Sequence, residues 1–141
     1  MEYYIKEITT HAEMLAQVEL LQQLNPNIEH NSCSQMLRDM IANNYKMIGA
    51  FVGEVCVGIS GYWIGTKLYS GKYLEMDNVV VDEGHRSARI GAMLCDYLDT
   101  IAKENNCQMM MLDAYIENEK AHRFYEREGY TKRGYHFIKK L

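Results

Sequence analysis

The chain has 141 residues, of which 48% are hydrophobic and 24% are charged, and its net charge at pH 7 is −4. These values are typical of one soluble globular domain that is long enough to bury a core. The mild negative charge argues against general nucleic-acid binding, and no apolar run is long enough to cross a bilayer. The four cysteines are far apart and the five histidines lack ligand spacing, so we expect free thiols and no metal site.

The N-terminal sequence MEYYIK lacks the basic and then apolar build of a secretion signal. We therefore expect a cytoplasmic protein with neither a membrane nor a nucleic-acid partner. Residues 3–8 have strand propensity, and a capping box formed by Thr10 and Glu13 opens a helix that continues to about Leu24. The segment Asn-Pro-Asn at 25–27 ends this helix.

The next segment predicts a second helix and a hairpin. Ser32 with Gln35 forms a second capping-box pattern, which predicts that a helix opens there. Residues 47–52 and 55–65 have the composition of strands. They are joined by the two-residue turn Gly53-Glu54, which predicts a β-hairpin.

The second half alternates strands with helices. We expect a strand at 73–81, a helix from about 90 to 105, a strand at 108–114 and a helix at 118–128. A strand-helix-strand crossover requires parallel neighbours, so the two strands should lie parallel. Two further strands are predicted near 130–132 and 135–139. The order β-αα-βββ-α-β-α-ββ predicts an α/β (α+β) domain with a mixed sheet of about seven strands and four helices.

Residues 78–92, NVVVDEGHRSARIGA, pass from an apolar strand through a basic loop into a helix. The first turn of a helix has unpaired N–H groups and a partial positive charge, so it attracts phosphate. Arg86 and Arg89 add full charges, and Gly91 and Ala92 allow a ligand to approach the backbone. Taken alone, the segment fits an ordinary strand-loop-helix unit with solvated arginines equally well.

A second segment, residues 118–130, reads NEKAHRFYEREGY. Together the two segments resemble the GNAT acetyltransferase superfamily. That family's later motif, Asn-x-x-Ala-x-x-x-Tyr-x-x-x-Gly-Phe/Tyr, is complete here at Asn118, Ala121, Tyr125, Gly129 and Tyr130. Its loop motif, Arg/Gln-x-x-Gly-x-Gly/Ala, begins at Arg86 and ends at Gly91. Arg89 stands where the family usually has its first glycine. Either this loop does not need the freedom of glycine, or Arg89 contributes charge to a phosphate, which we favour.

The resemblance implies one GNAT domain over residues 1–141 that transfers an acetyl group from acetyl-CoA to a primary amine by direct attack on the thioester, without a metal. The amine would belong to a small molecule, or to a protein lysine or N-terminus, and a homodimer is possible. A non-catalytic acyl-CoA-binding or sensing module on the same fold is the alternative. By the resemblance, the cofactor contacts are Val79, Val80, Val81, Arg86, Ser87, Ala88, Arg89, Ile90, Gly91, Ala92, Asn118 and Tyr125.

The resemblance also implies catalytic roles. Tyr125 aligns with the family's tyrosine near the cofactor sulfur, where a phenol can protonate the leaving thiolate. Glu75 stands at the family's offset for a glutamate base. By the two-residue period, Glu75, Asp77, Val79 and Val81 should share one strand face. Asp77, His136 and a water chain remain alternative bases. Asn118 is also the predicted N-cap of its helix.

Overall fold

The computed structural model describes residues 2–141 and contains, within them, a mixed sheet and five α-helices. The strands are β1 (Tyr4–Ile8), β2 (Lys46–Val52), β3 (Val55–Lys67), β4 (Gly71–Val81) and β5 (Met109–Leu112). The helices are α1 (His11–Leu15), α2 (Val18–Leu24), α3 (His30–Ala42), α4 (Ile90–Glu104) and α5 (Glu119–Arg127). A 3-10 turn at Glu83–Ala88 lies between β4 and α4.

The strands lie in the order β1-β2-β3-β4-β5. The first four are antiparallel neighbours, and β5 pairs with β4 in parallel. The crossover through α4 and the parallel pair are thus as predicted. The hairpin between β2 and β3 also forms at Gly53-Glu54, where Gly53 has a φ of +58°.

Each face of the sheet carries its own hydrophobic cluster. Neighbouring residues of β2 belong alternately to the two clusters. Met47 packs in the cluster with α1, α2 and α3, whereas Ile48 packs in the cluster with α4. Buried side chains of α1, α2 and α3 cover one face, which we call the α1–α3 face. Those of α4 cover the other, and α5 adds Phe124 and Tyr125 to it, so we call it the α4–α5 face.

Two helix predictions need correction. The Thr10–Glu13 capping box is present, but the predicted helix to Leu24 is two helices, separated by a turn at Ala16 and Gln17. Neither glycine nor proline marks this break, so the residue pattern carried no signal for it. The next helix begins at His30, before the predicted box at Ser32. The sheet therefore accompanies five helices rather than four.

The two C-terminal strands were predicted wrongly. Residues 130–141 form no strand, so the described sheet has five strands rather than seven. Tyr135, Phe137 and Ile138 are 78–90% exposed. Beyond Gly129, one backbone–backbone hydrogen bond remains in the described chain, from the Tyr130 amide to the Tyr125 carbonyl. Strand propensity reflects packing on a pleated surface, which residues 131–141 lack here because they are all exposed.

The cysteines are free thiols, with Cys33 and Cys95 buried and the other two half-buried. Across residues 2–141, no helix has the length and apolar character needed to cross a bilayer. In the same part of the chain, no group of three or more His, Cys, Asp or Glu side chains is arranged to hold a metal ion.

Candidate active site

The central strand β4 separates from β5 at the carboxyl end of the pair. The two strands pair from Tyr73–Met109 to Met76–Leu112, where β5 ends. Strand β4 continues to Val81, so residues 77–81 have no partner strand on the β5 side. We call this unpaired edge the β4–β5 opening. An extended ligand with amide groups could bind here as an added strand.

A β-bulge lies at the start of this opening. Gly61 of β3 pairs with Asp77, whereas Ile59 pairs with Val80. Two β4 residues, Asn78 and Val79, therefore stand opposite one residue of β3. Asn78 occupies the left-handed region, with a φ of +57°.

The bulge overturns the predicted common face of Glu75, Asp77, Val79 and Val81. Before it, the buried side chains of Leu74 and Met76 lie on the α4–α5 face, which leaves Glu75 and Asp77 for the α1–α3 face. After it, Val79 and Val81 pack on the α4–α5 face, and Val80 joins the cluster on the α1–α3 face. The extra residue reverses which face each later side chain occupies. The prediction assumed an unbroken alternation of two residues along the strand, so it placed these side chains wrongly.

The loop after β4 leads directly into the N-terminus of α4. The Asp82 carboxylate accepts a hydrogen bond from the Gly84 amide at 3.3 Å, and the Arg86 Nε donates to the Val81 carbonyl at 3.3 Å. Arg89 is the N-cap of α4 but makes no side-chain capping bond. The first amides of this 15-residue helix are therefore not used by a side-chain cap, as an anion site requires.

Arg89 has a φ of +61°, so this position keeps a conformation that favours glycine. The first alternative, a loop that does not need this freedom, is therefore wrong. Holding a non-glycine residue there costs roughly 1–2 kcal/mol. Arg86 and Arg89 are both exposed, so their charged groups are available to a ligand.

The remaining loop residues have mixed surroundings. The side chain of Ser87 lies outside the described part of the structure. Ala88 is half-buried, and Ile90 and Ala92 are buried, so Ile90 and Ala92 can offer a ligand only their backbone. Gly91 serves helix packing as well, because an added Cβ would lie 3.0 Å from the Phe124 ring.

Tyr125 lies on α5, half-buried on the α4–α5 face. Its ring packs edge-on against Phe124 and Tyr130, with centroids 5.0 and 5.7 Å away. Its hydroxyl has no hydrogen-bond partner within residues 2–141. Burial, and secondarily the nearby Cys95, raise the pKa of Tyr125 above its ordinary value of 10, so the phenol stays protonated at neutral pH.

Asn118 caps α5, as predicted, because its side-chain oxygen accepts a hydrogen bond from the Ala121 amide at 3.1 Å. This bond fixes the start of the helix that carries Tyr125. The side-chain NH₂ group of Asn118 makes no hydrogen bond to residues 2–141, so it is left for a ligand.

Glu75 lies between Trp63 of β3 and Met111 of β5, one residue before the β4–β5 pairing ends. Burial raises the pKa of this carboxyl, and the carboxylates of Asp113 and Asp77 raise it further. Lys67 and His136 act in the opposite direction. A raised pKa suits a base that must work near neutral pH.

The two rival bases have partners. The indole Nε1 of Trp63 donates to Asp77 Oδ2 at 2.9 Å, which engages that carboxylate in the sheet. His136 Nδ1 lies 2.8 Å from Asp113 Oδ2, and both side chains are mostly exposed. The contacts of Asn78 were not predicted from the sequence. An asparagine inside a valine-rich strand could have indicated an irregularity there, because asparagine is uncommon in strands.

A parallel strand pair that opens at its carboxyl end, followed by a basic loop and a helix start without a side-chain cap, can bind an extended anionic ligand. Residues 14–130 match the Acetyltransferase (GNAT) family, and the chain belongs to that family.

One curated relative is the aminoalkylphosphonate N-acetyltransferase of Salmonella typhimurium (strain LT2), which is 31% identical over 90 residues. The match covers 63% of this chain and 58% of the relative, so it spans less than two thirds of that protein.

Two solved structures resemble almost the whole chain. One is described as a transcriptional regulator from Bacillus halodurans C-125, with a TM-score of 0.86 and 21% identity over 99% of this chain and 100% of that one. The other is the aminoglycoside acetyltransferase meta-AAC0020 from an uncultured soil metagenomic sample. Its TM-score is 0.85, with 17% identity over 99% of this chain and 96% of that one. At these identities the likeness shows the fold, a mixed sheet of the GNAT type.

Proposed function

We propose that this protein is an acetyl-CoA-dependent N-acetyltransferase that transfers the acetyl group to a primary amine by direct attack on the thioester. Membership of an acetyltransferase family supports acyl transfer. The observation that carries the proposal is that Glu75, one residue before the β4–β5 pairing ends, and Tyr125 lie on opposite faces of the sheet. A base on one face and an acid on the other suit a displacement that passes through the opening.

The residues around the opening fit acetyl-CoA. The backbone of Val79, Val80 and Val81 would pair with the amide-bearing arm, because this edge of β4 has no strand partner in residues 2–141. The amides from 86 to 92 would hold the diphosphate at the start of α4, with Arg86 and Arg89 adding charge. When bound, acetyl-CoA would supply an activated acyl group.

Tyr125 would donate its proton to the departing sulfur. Its raised pKa makes it a weak acid, yet the same surroundings raise the proton affinity of sulfur as well. Burial raises the pKa of the neighbouring Cys95 thiol to about 12, and negative charges nearby add to this. A thiolate formed beside Tyr125 would therefore be more basic than in water, which favours transfer of the phenol proton.

Glu75 would accept a proton from the ammonium group of the acceptor, directly or through one water, so that the neutral amine can attack the thioester. An alkylamine with a pKa near 10.4 is almost wholly protonated at neutral pH, so it must lose a proton before attack. The neighbouring carboxylates of Asp77 and Asp113 raise the pKa of Glu75 and also favour a cationic acceptor.

The acceptor would be a small-molecule amine or a protein amino group. The name of the curated relative adds aminoalkylphosphonates to the candidates. We place the enzyme in the cytoplasm, without a metal cofactor or a membrane or nucleic-acid partner, and a homodimer is possible. The non-catalytic acyl-CoA-binding alternative is not favoured, because the family is one of acetyltransferases and Tyr125 is retained.

Incubation of the protein with acetyl-CoA and a panel of primary amines tests the proposal, with thiol release as the measurement. The panel contains alkyl diamines, aminoalkylphosphonates, aminoglycosides and lysine peptides. We expect amine-dependent thiol release, with the product identified by a mass increase of one acetyl group. Tyr125→Phe is the matched control for background hydrolysis. Binding of acetyl-CoA without acetylation of any amine would favour the sensing module, and no binding at millimolar acetyl-CoA would refute the proposal.

A further inference from the structure

We propose that Tyr45 and Asn78 form a clamp that holds the β4 bulge and thereby positions the backbone of residues 79–81 along the β4–β5 opening. Both would be positioning residues, since they act through the strand rather than by touching the reacting atoms. The inference rests on the proposed function for its kinetic consequence. Its structural part, the hold on the bulge, stands on contacts within this chain.

The first contact of the clamp is a hydrogen bond. Tyr45 lies directly before β2 and is 2% exposed on the α1–α3 face. The Asn78 side-chain Nδ2 donates to the Tyr45 hydroxyl at 3.1 Å. The Tyr45 hydroxyl reaches this point because β3 has a glycine beneath it: a Cβ on Gly61 would collide with the tyrosine oxygen and ring.

A second contact secures the residue before the bulge. The rings of Tyr45 and Trp63 pack with their centroids 4.9 Å apart. The indole of Trp63 donates to the carboxylate of Asp77 at 2.9 Å. Consecutive residues of β4, Asp77 and Asn78, are therefore both hydrogen-bonded to one aromatic pair on the α1–α3 face, the buried Tyr45 and the half-buried Trp63.

The bulge needs such support because its backbone is unfavourable. A positive φ at Asn78 costs free energy, although asparagine tolerates it better than most residues. The extra residue at the bulge also leaves the ladder to β3 locally disrupted. The half-buried hydrogen bond from the Asn78 side chain to Tyr45 offsets part of this cost.

The bulge matters because it determines which backbone groups of β4 face the β4–β5 opening. If β4 lost the extra residue, the strand after Asp77 would shift by one position against β3. Val80 would then turn from the α1–α3 face to the α4–α5 face. The N–H and C=O groups that now lie along the opening would turn toward β3. A bound thioester would thus lose the backbone groups of residues 79–81 with which it would pair.

Three variants separate the parts of the clamp. Tyr45→Phe removes the hydroxyl and keeps the ring beside Trp63. Asn78→Gly removes the same hydrogen bond but keeps a residue that adopts positive φ freely. The double variant should be no worse than the more affected single variant, since both single changes remove one shared interaction. Tyr62→Phe is the matched control, because Tyr62 is equally buried but lies on the opposite face.

The readouts are amide NMR shifts of the ligand-free protein and steady-state kinetics. We expect shifts at 79–81 in Tyr45→Phe that Tyr62→Phe does not produce. For both clamp variants, kcat/KM for acetyl-CoA should fall about 2- to 12-fold, the equivalent of about 0.5–1.5 kcal/mol for one intramolecular hydrogen bond, while KM for the acceptor amine stays unchanged.

Unchanged amide shifts at 79–81 in Tyr45→Phe would overturn the clamp. So would additive losses in the double variant, or an equal loss of kcat/KM in Tyr62→Phe. A wild-type protein that neither binds acetyl-CoA nor acetylates any amine would instead refute the proposed function. In that case the NMR comparison alone decides whether Tyr45 and Asn78 hold the bulge.

Discussion

Glu75 and Tyr125 lie on opposite faces of one sheet. Glu75 follows Leu74 and precedes Met76, whose side chains are buried on the α4–α5 face, so its own side chain lies on the α1–α3 face. Tyr125 packs on the α4–α5 face. In the proposed mechanism, the base that acts on the acceptor amine and the acid that acts on the leaving thiol would therefore lie on different faces of the sheet.

Replacing Tyr125 by phenylalanine tests the acid. The change keeps the ring that packs on Phe124 and Tyr130 and removes only the hydroxyl. We expect kcat to fall by about 10²–10⁴-fold, the usual contribution of a general acid, with little change in acetyl-CoA affinity. Steady-state kinetics and calorimetry measure the two effects. Tyr97→Phe, on the same face, serves as control, and a fall no larger than in that control would leave Tyr125 a packing residue.

The Glu75→Gln variant tests the base. The amide keeps the size of the side chain and cannot accept a proton at neutral pH. The acidic limb of the pH profile of kcat/KM should move or vanish, and the rate should depend more on the free amine at high pH. Asp77→Asn and His136→Ala are the comparison variants. If one of them loses the limb while Glu75→Gln keeps it, the base has been assigned to the wrong residue.

The same substitution should stabilise the protein at neutral pH. Burial and the nearby carboxylates raise the pKa of folded Glu75 above 4.5, so its ionised form favours the unfolded chain. A raised carboxyl pKa gives a contribution that is present at low pH and is lost as the pH rises through the folded-state value. Glu75→Gln should therefore melt higher than wild type at pH 7.5. The gap should shrink as the pH falls toward 4.5, and a constant gap would contradict the prediction.

Arg89→Gly should affect stability and binding in opposite directions. Glycine removes a left-handed penalty of roughly 1–2 kcal/mol but costs roughly 0.5–1 kcal/mol in chain entropy, so the free energy of unfolding should rise by up to about 1.5 kcal/mol. Loss of the charge should weaken CoA binding about 2- to 5-fold, the equivalent of about 0.3–1 kcal/mol at a helix end. Thermal melting and calorimetry measure both effects. Arg89→Lys keeps the charge, and equal CoA affinity in all three proteins would show that the charge is not used.

Gly61→Ala should disturb the bulge from the opposite strand. The added methyl group would collide with the Tyr45 hydroxyl and ring, which are buried and cannot move freely. We expect a loss of about 1–3 kcal/mol in unfolding free energy, as for other overpacked sites. Chemical denaturation measures it. The double variant Gly61→Ala/Tyr45→Phe should recover part of the loss, because the clash with the hydroxyl is gone; no recovery would place the strain elsewhere.

Features that depend on neighbouring residues were predictable from the sequence. The Thr10–Glu13 capping box, the Asn118 cap, the Gly53-Glu54 turn and the strand-loop-helix unit around Arg86 each depend on contacts within a few residues. The parallel pairing of β4 with β5 also followed, because a crossover helix permits no other arrangement.

The tertiary structure alone decided the rest. Asn78 at the bulge is hydrogen-bonded to Tyr45, 33 residues earlier in the chain, whose ring needs the space above Gly61. A residue pattern read along one strand could therefore not predict the bulge. The packing of Gly91 against Phe124 likewise joins two helices. Residues 130–139 have strand composition but form no strand, because a strand needs a neighbour to receive its hydrogen bonds and a surface to pack on. Local sequence determines what a segment can become, whereas the contacts that select one outcome come from residues distant in the chain.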